Sequence, residues 1–110
     1  MKKAIKYNKL IRDRILEIIE SDGWKPYSRV LNKKEYLKEL KKKVLEEAKE
    51  LIEARGKKEI INEIVDIQEL IDVLMLELSL NKTQIKKQQK IKNKKRGGFK
   101  NRLFLLKTEK

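Results

Sequence analysis

The sequence has no cysteine and no histidine, and it has only one proline among its 110 residues. The lack of cysteine excludes disulfides, thiolate metal sites and cysteine nucleophiles. The lack of histidine excludes imidazole zinc sites, Ser-His-Asp catalysis and the Glu-x-x-His pattern of di-iron helical bundles. A metal ion would therefore have to be held by oxygen ligands alone, and such sites favour Mg²⁺, Mn²⁺ or Ca²⁺.

Long apolar segments are missing as well. The basic start of the chain, residues 1–6, is not followed by the apolar segment that a secretory signal needs. No apolar run approaches the roughly 20 residues that cross a bilayer. The sequence therefore predicts a cytoplasmic protein that does not act on a membrane, and its length suits a single domain over residues 1–110.

Positive charge is abundant but unevenly distributed. The formal net charge is +13, and residues 84–110 hold eleven basic residues and one acidic residue. Residues 1–83 are nearly balanced, with nineteen basic and sixteen acidic residues. The basic C-terminal segment should attract polyanions, although a merely solvated lysine-rich tail is an equally good interpretation.

Apolar residues at helical spacing predict a mainly α protein built as a helical bundle. We expect helices over residues 9–21, 33–55, 57–80 and 84–96. Asn8 is a predicted cap of the first helix, and Asn32 with Glu35 forms a predicted capping box at the second. Residues 102–106 could form a short strand that pairs with residues 29–31, which would add one two-stranded β element.

The second and third predicted helices each carry an apolar stripe, so we expect them to form an antiparallel hairpin. The third helix is apolar almost all round between Val73 and Leu76. This pattern indicates deep burial or a subunit interface, and it predicts a homo-oligomer, either a dimer or a tetramer.

Two pairs of acidic residues, Glu47 with Glu50 and Glu63 with Asp66, lie on this hairpin with three-residue spacing. Residues three apart are neighbours on a helix surface, so each pair can share an ion. Helical angles place both pairs beside the apolar stripes, where a carboxylate is costly unless it is paired or bound to a cation. Each acid taken singly could still be solvated surface decoration.

Four converging carboxylates would repel one another, and a divalent cation would reverse this repulsion. Such a site has the parts that metal-assisted hydrolysis needs, because the ion neutralises phosphate oxygens and activates water while a spare carboxylate serves as base. Mg²⁺ is the ion that we expect, with Mn²⁺ as the alternative.

Three segments together resemble the all-alpha NTP pyrophosphohydrolases, which include the MazG proteins and phosphoribosyl-ATP pyrophosphohydrolase. These segments are residues 7–13, the acidic helices with their two Glu-x-x-Glu/Asp motifs, and residues 95–99. Within that group the chain is most similar to the small house-cleaning type. The resemblance implies Mg²⁺-dependent cleavage of a nucleoside triphosphate or noncanonical nucleotide between the α and β phosphates.

The resemblance also implies roles for individual residues. By motif position, the metal ligands would be Glu47, Glu50, Glu63 and Asp66. Glu46 and Glu47 would be catalytic, with Glu46 as the base or an outer partner. The residues expected to bind the substrate are Lys9, Arg12, Asp13, Lys95 and Arg96.

The sequence leaves two other functions open. A non-enzymatic nucleic-acid-binding protein would explain the basic segment, since lysine-rich tails bind phosphate backbones. It would leave the carboxylates unexplained. A helical oligomerisation module would explain only the apolar stripe of the third helix.

Overall fold

The computed structural model describes residues 3–110, so the first two residues of the basic start lie outside the described part. The chain has four helices: α1 (Ile15–Ser21), α2 (Lys33–Glu53), α3 (Gly56–Glu77) and α4 (Lys82–Arg96). The mainly α class predicted from the sequence is therefore confirmed. None of the described helices has the combination of length and apolar character that a membrane span requires.

The start of α2 is set by the predicted capping box. The Asn32 side chain accepts a hydrogen bond from the Glu35 backbone N–H at 2.9 Å, and the Glu35 carboxylate accepts one from the Asn32 N–H at 3.4 Å. Arg29 also donates to the Glu35 carboxylate, at 2.7 Å. The two bonds of the capping box satisfy backbone donors at the helix start, and the bond from Arg29 holds the Glu35 carboxylate in place.

The first helix is shorter than predicted, because it begins at Ile15 and not at Lys9. Asn8 does not cap it, since its φ of 47° lies in the left-handed region, while a capping residue is normally extended. Arg14 occupies the cap position without a side-chain hydrogen bond. Residues 9–14 therefore form an irregular segment ahead of α1.

The connection between α2 and α3 also differs from the prediction. Helix α2 ends at Glu53, and Gly56 is the first residue of α3 with a φ of 71°, which glycine tolerates without a steric cost. The Glu59 carboxylate accepts the Arg55 N–H at 2.6 Å and so serves this helix start. The short connection reverses the chain and makes α2 and α3 antiparallel.

Among the described helices, only α2 and α3 pack against each other. The apolar stripe predicted for α2 includes Leu37, Leu40 and Val44 and faces this contact. Leu40 is only 2% exposed. The flanking residues Leu37 and Val44 are half-buried. This hairpin is the scaffold of the acidic site, and the assignment of residues 1–110 to one domain stays a prediction.

Much apolar surface of α3 is left uncovered in the single chain. Ile61 is 59% exposed, Ile64 52% and Leu76 75%. Deep burial around Leu76, one of the two predicted outcomes, therefore does not occur within one chain. The radius of gyration is 19.2 Å, whereas a compact chain of this length would have about 13 Å.

The two-stranded β element does not form, because the described residues contain no strand. Val30 and Phe104, at the centres of the two expected strands, are almost fully exposed. A pair of strands is marginal in water unless it packs on other elements. Within the described part of the chain, no element covers Val30 or residues 103–106.

Candidate metal centre

Three carboxylates converge on the α2–α3 hairpin, and we call Glu47, Glu50 and Glu63 the carboxylate cluster. One oxygen from each residue lies within 4.8 Å of an oxygen from both others. The three-residue spacing on α2 puts Glu47 and Glu50 side by side, and the antiparallel packing brings Glu63 against them. Glu47 is the most enclosed member, at 8% exposure.

The electrostatics of the cluster are unfavourable without a cation. Oε2 of Glu47 and Oε2 of Glu63 are buried, and neither has a hydrogen-bond partner among the described residues. Burial raises the pKa of Glu47 to about 7, helped by the nearby carboxylates of Glu50 and Glu63, which favour a proton shared with Glu47. The negative charges of Glu50 and Asp66 raise this pKa further. The same surroundings that favour a proton also favour a metal ion.

The donor set fits a hard divalent cation. All three donors are carboxylate oxygens, which Mg²⁺, Mn²⁺ and Ca²⁺ prefer. These ions hold oxygens at about 2.0 to 2.6 Å, so two oxygens on one ion lie at most about 5 Å apart. The 4.8 Å limit within the cluster is compatible with one shared ion. Glu47, Glu50 and Glu63 could therefore hold a divalent metal.

Asp66, the fourth predicted ligand, does not belong to this group. Its Oδ1 instead accepts a hydrogen bond from Nη2 of Arg12 at 2.6 Å. Asp66 is nevertheless close enough for its charge to raise the pKa of Glu47. Two residues that were predicted for separate roles, phosphate contact and metal binding, are thus joined to each other.

Several other acids of the hairpin lie outside the cluster, among them Glu46, Glu69 and Asp72. Glu46, a predicted catalytic residue, accepts from Nζ of Lys43 at 3.3 Å. On α3, Glu69 is exposed, and Asp72 accepts from Gln68 at 2.9 Å. Glu69 and Asp72 share the spacing of Glu63 and Asp66, so spacing alone does not place an acid in the cluster.

Asp13, which is predicted to bind substrate, acts electrostatically on Tyr36 at the start of α2. Burial raises the pKa of the Tyr36 hydroxyl, and the negative charges of Glu77, Asp13 and Glu69 raise it further. Asp13 is therefore within electrostatic range of Tyr36, in the first turn of α2.

The predicted basic contacts are not gathered at the cluster. Nζ of Lys9 lies over the ring of Tyr7, 5.5 Å from its centroid. Lys95 and Arg96 are in the last turn of α4, a helix that packs against none of the other described helices. Neither of them forms an ion pair with a described carboxylate. Their roles in substrate binding stay predictions.

An open groove of about 730 Å³ borders the cluster at the connected end of the hairpin. Glu50 and Glu63 line it together with Lys58 and Asn62. Lys58 was not among the predicted site residues, since nothing in the sequence distinguishes it from the many other lysines. The pairing of Arg12 with Asp66 was missed too, because the two are 54 positions apart.

The fold and the cluster define a class of protein: a mainly α protein whose helical hairpin carries three carboxylates that could hold a divalent metal. The comparison with known families is more specific. Residues 5–94 match the phosphoribosyl-ATP pyrophosphohydrolase family, and the chain belongs to it. Members of this family are pyrophosphohydrolases, hydrolases of phosphoric anhydride bonds that generally depend on a divalent metal. No curated protein and no solved structure gives a significant match.

Proposed function

We propose that the protein is a Mg²⁺-dependent nucleoside triphosphate pyrophosphohydrolase. In the proposed reaction, a nucleoside triphosphate or noncanonical nucleotide reacts with water and gives a nucleoside monophosphate and pyrophosphate. The observation that carries the proposal is the carboxylate cluster, which lies within the residues that match the family.

The proposed roles follow from the positions of the side chains. Glu47, Glu50 and Glu63 would hold Mg²⁺, and Asp66 would be the fourth ligand. When bound, the ion supplies charge neutralisation at the phosphates and lowers the pKa of a bound water. Glu46 neighbours Glu47 on α2 and is partly exposed, which suits a base that takes the proton of the attacking water.

The substrate phosphates need cationic partners near the cluster. Lys58 lines the adjoining groove, and Arg12 is held within a hydrogen bond of Asp66. We propose that these two residues contact the phosphates of the substrate. Lys9 and Asp13 lie on the same N-terminal segment as Arg12, so they would join the substrate site from that side.

The test is an assay of both products with a panel of canonical and noncanonical nucleoside triphosphates, Mg²⁺ and metal-stripped protein. We expect equal amounts of nucleoside monophosphate and pyrophosphate, and no reaction in EDTA. Release of inorganic phosphate with a nucleoside diphosphate would contradict cleavage between the α and β phosphates.

We further propose that the protein is a homo-oligomer, a dimer or tetramer, that covers the exposed face of α3. Within residues 3–110 of the single chain, Leu40 is the one apolar side chain that is fully buried, which is a small core. Exposed apolar patches of this kind mark interaction sites. A partner chain would also give α1 and α4 surfaces to pack on.

Light scattering of the purified protein should give two or four times the mass of one chain, 13.2 kDa. Replacing Ile61 and Leu76 by Glu should yield a smaller species with a lower melting temperature, because charges do not tolerate an apolar interface. The control replaces Lys49 on α2 and Lys57 on α3, which are both exposed, and it should leave the mass unchanged. A monomeric wild type at micromolar concentration would refute the assembly.

Two earlier predictions stay predictions. The protein was expected in the cytoplasm, and nucleic-acid binding through the C-terminal segment was the alternative function. Helix α4 has eight basic residues, no acidic one, and exposed side chains throughout. Filter binding to DNA across a salt series would reveal such binding as a steep loss of affinity with rising salt.

A further inference from the structure

The pair between Arg12 and Asp66 is unusual among the ion pairs of residues 3–110. It joins positions 54 apart, whereas every other ion pair in this part of the chain joins residues six or fewer positions apart. It therefore connects the irregular segment before α1 to the middle of α3. Such a contact can hold one segment of the chain in place against another.

Among the described residues, the hydrogen bond from Arg12 to Asp66 is the one side-chain hydrogen bond between residues 9–14 and the hairpin. Leu10 and Ile11 are half-buried, and the helix that follows packs against no other described helix. The Arg12 carbonyl accepts the Ile15 N–H at 3.1 Å, which ties Arg12 to the start of α1. A movement of Arg12 away from Asp66 would therefore move this segment as well.

Asp66 itself is poised beside the carboxylate cluster. It lies three positions after Glu63, on the same face of α3, and its charge reaches Glu47. Yet its oxygens are not among the carboxylate oxygens of the cluster that lie within 4.8 Å of one another. The guanidinium of Arg12, bound to Oδ1 at 2.6 Å, accounts for this orientation, because it gives Asp66 a cation of its own.

We propose, on the basis of the proposed function, that Arg12 is a positioning residue that competes with the divalent ion for Asp66. In the metal-free protein Arg12 holds Asp66 outside the cluster. When the ion binds Glu47, Glu50 and Glu63, Asp66 turns to it and releases Arg12. The freed guanidinium then faces the phosphates, so that metal binding prepares the substrate site.

The test measures metal binding directly, by calorimetric titration of metal-stripped protein with Mn²⁺ or Mg²⁺ in the absence of nucleotide. In Arg12→Gln the competing cation is gone, so the dissociation constant should fall by about two- to fivefold, the range for a partly exposed ion pair. The KM for the nucleotide should rise in the same variant. The gain in metal affinity should vanish when Arg12→Gln is combined with Asp66→Asn.

Arg14→Gln is the matched control, because it removes the same charge from the same segment but breaks a pair with Glu17 instead. Its metal affinity should equal that of the wild type. Hydrogen exchange gives a second measurement: the amides of residues 10–14 should exchange faster when metal is added to the wild type, and Arg12→Gln should show this fast exchange without metal.

The competing outcomes are distinct. If Arg12 only fastens the segment, the variant exchanges faster but its metal affinity does not change. If Arg12 orients Asp66 as a ligand, metal binding weakens. Either result overturns the competition while leaving a metal-binding, nucleotide-hydrolysing wild type intact. A wild type that binds no divalent ion would overturn both this inference and the proposed function.

Discussion

Replacing Glu63 by Gln is expected to reduce kcat/KM for the nucleotide by at least about a hundredfold, since even outer partners of metal ligands cost 10- to 100-fold. Glu63 is the contribution of α3 to the cluster, and one of its oxygens is buried without a partner among the described residues. The amide keeps the shape of the side chain but removes the charge that attracts the ion. Initial rates of pyrophosphate release over a range of Mg²⁺ concentrations would measure the loss.

The matched control for this change is Glu69→Gln. Glu69 lies on the same helix and carries the same charge, but it is exposed and outside the cluster. Its replacement should leave kcat/KM within about twofold of the wild type, as for an ordinary surface substitution. Equal activities in Glu63→Gln and Glu69→Gln would contradict the assignment of the metal site to the carboxylate cluster.

The second large effect concerns pH and Glu47. Its pKa is raised from 4.5 to about 7. Between pH 4.5 and pH 7, the metal-free native protein therefore keeps a proton that the unfolded chain has lost. The free energy of unfolding in EDTA should therefore decrease as pH rises from 5 to 7, by about 1–3 kcal/mol. Above pH 7 both states have lost this proton, and the contribution becomes constant.

This dependence is unusually easy to isolate, because the sequence has no histidine to titrate in the same range. Chemical unfolding at several pH values in EDTA should show the slope in the wild type and in Glu69→Gln. Glu47→Gln should remove it. Bound Mg²⁺ requires the ionised carboxylate, so the apparent metal affinity should fall about tenfold per unit of pH below 7. An unchanged slope in Glu47→Gln would contradict the assignment.

Local structure was predicted where local chemistry decides it. The capping box of Asn32 and Glu35 involves residues three apart, and α2 starts where this pattern places it. The apolar stripe through Leu40 also predicted the buried face correctly. The first helix was predicted too long because its apolar spacing begins earlier than its backbone becomes helical, and Asn8 adopts a left-handed conformation that no spacing reveals.

The sequence predicted three of the acids that the hairpin brings together, but not the details of their arrangement. Spacing and helical angles selected Glu47, Glu50, Glu63 and Asp66, and the hairpin brings the first three together but not Asp66. They did not show that Glu47 would be the most enclosed of them. The relative depth of the three depends on how closely two helices approach, which is a property of their packing.

The sequence alone determined the mainly α class of the fold, because helical periodicity acts within short stretches of the chain. It also determined that any metal site must use oxygen ligands, because the chain has no cysteine and no histidine. Only the tertiary structure decided that Asp66 pairs with Arg12, that Glu47 is held at a raised pKa, and that α3 keeps an uncovered apolar face. These features arise between residues far apart in the chain, where distance, burial and charge are set by packing and not by spacing.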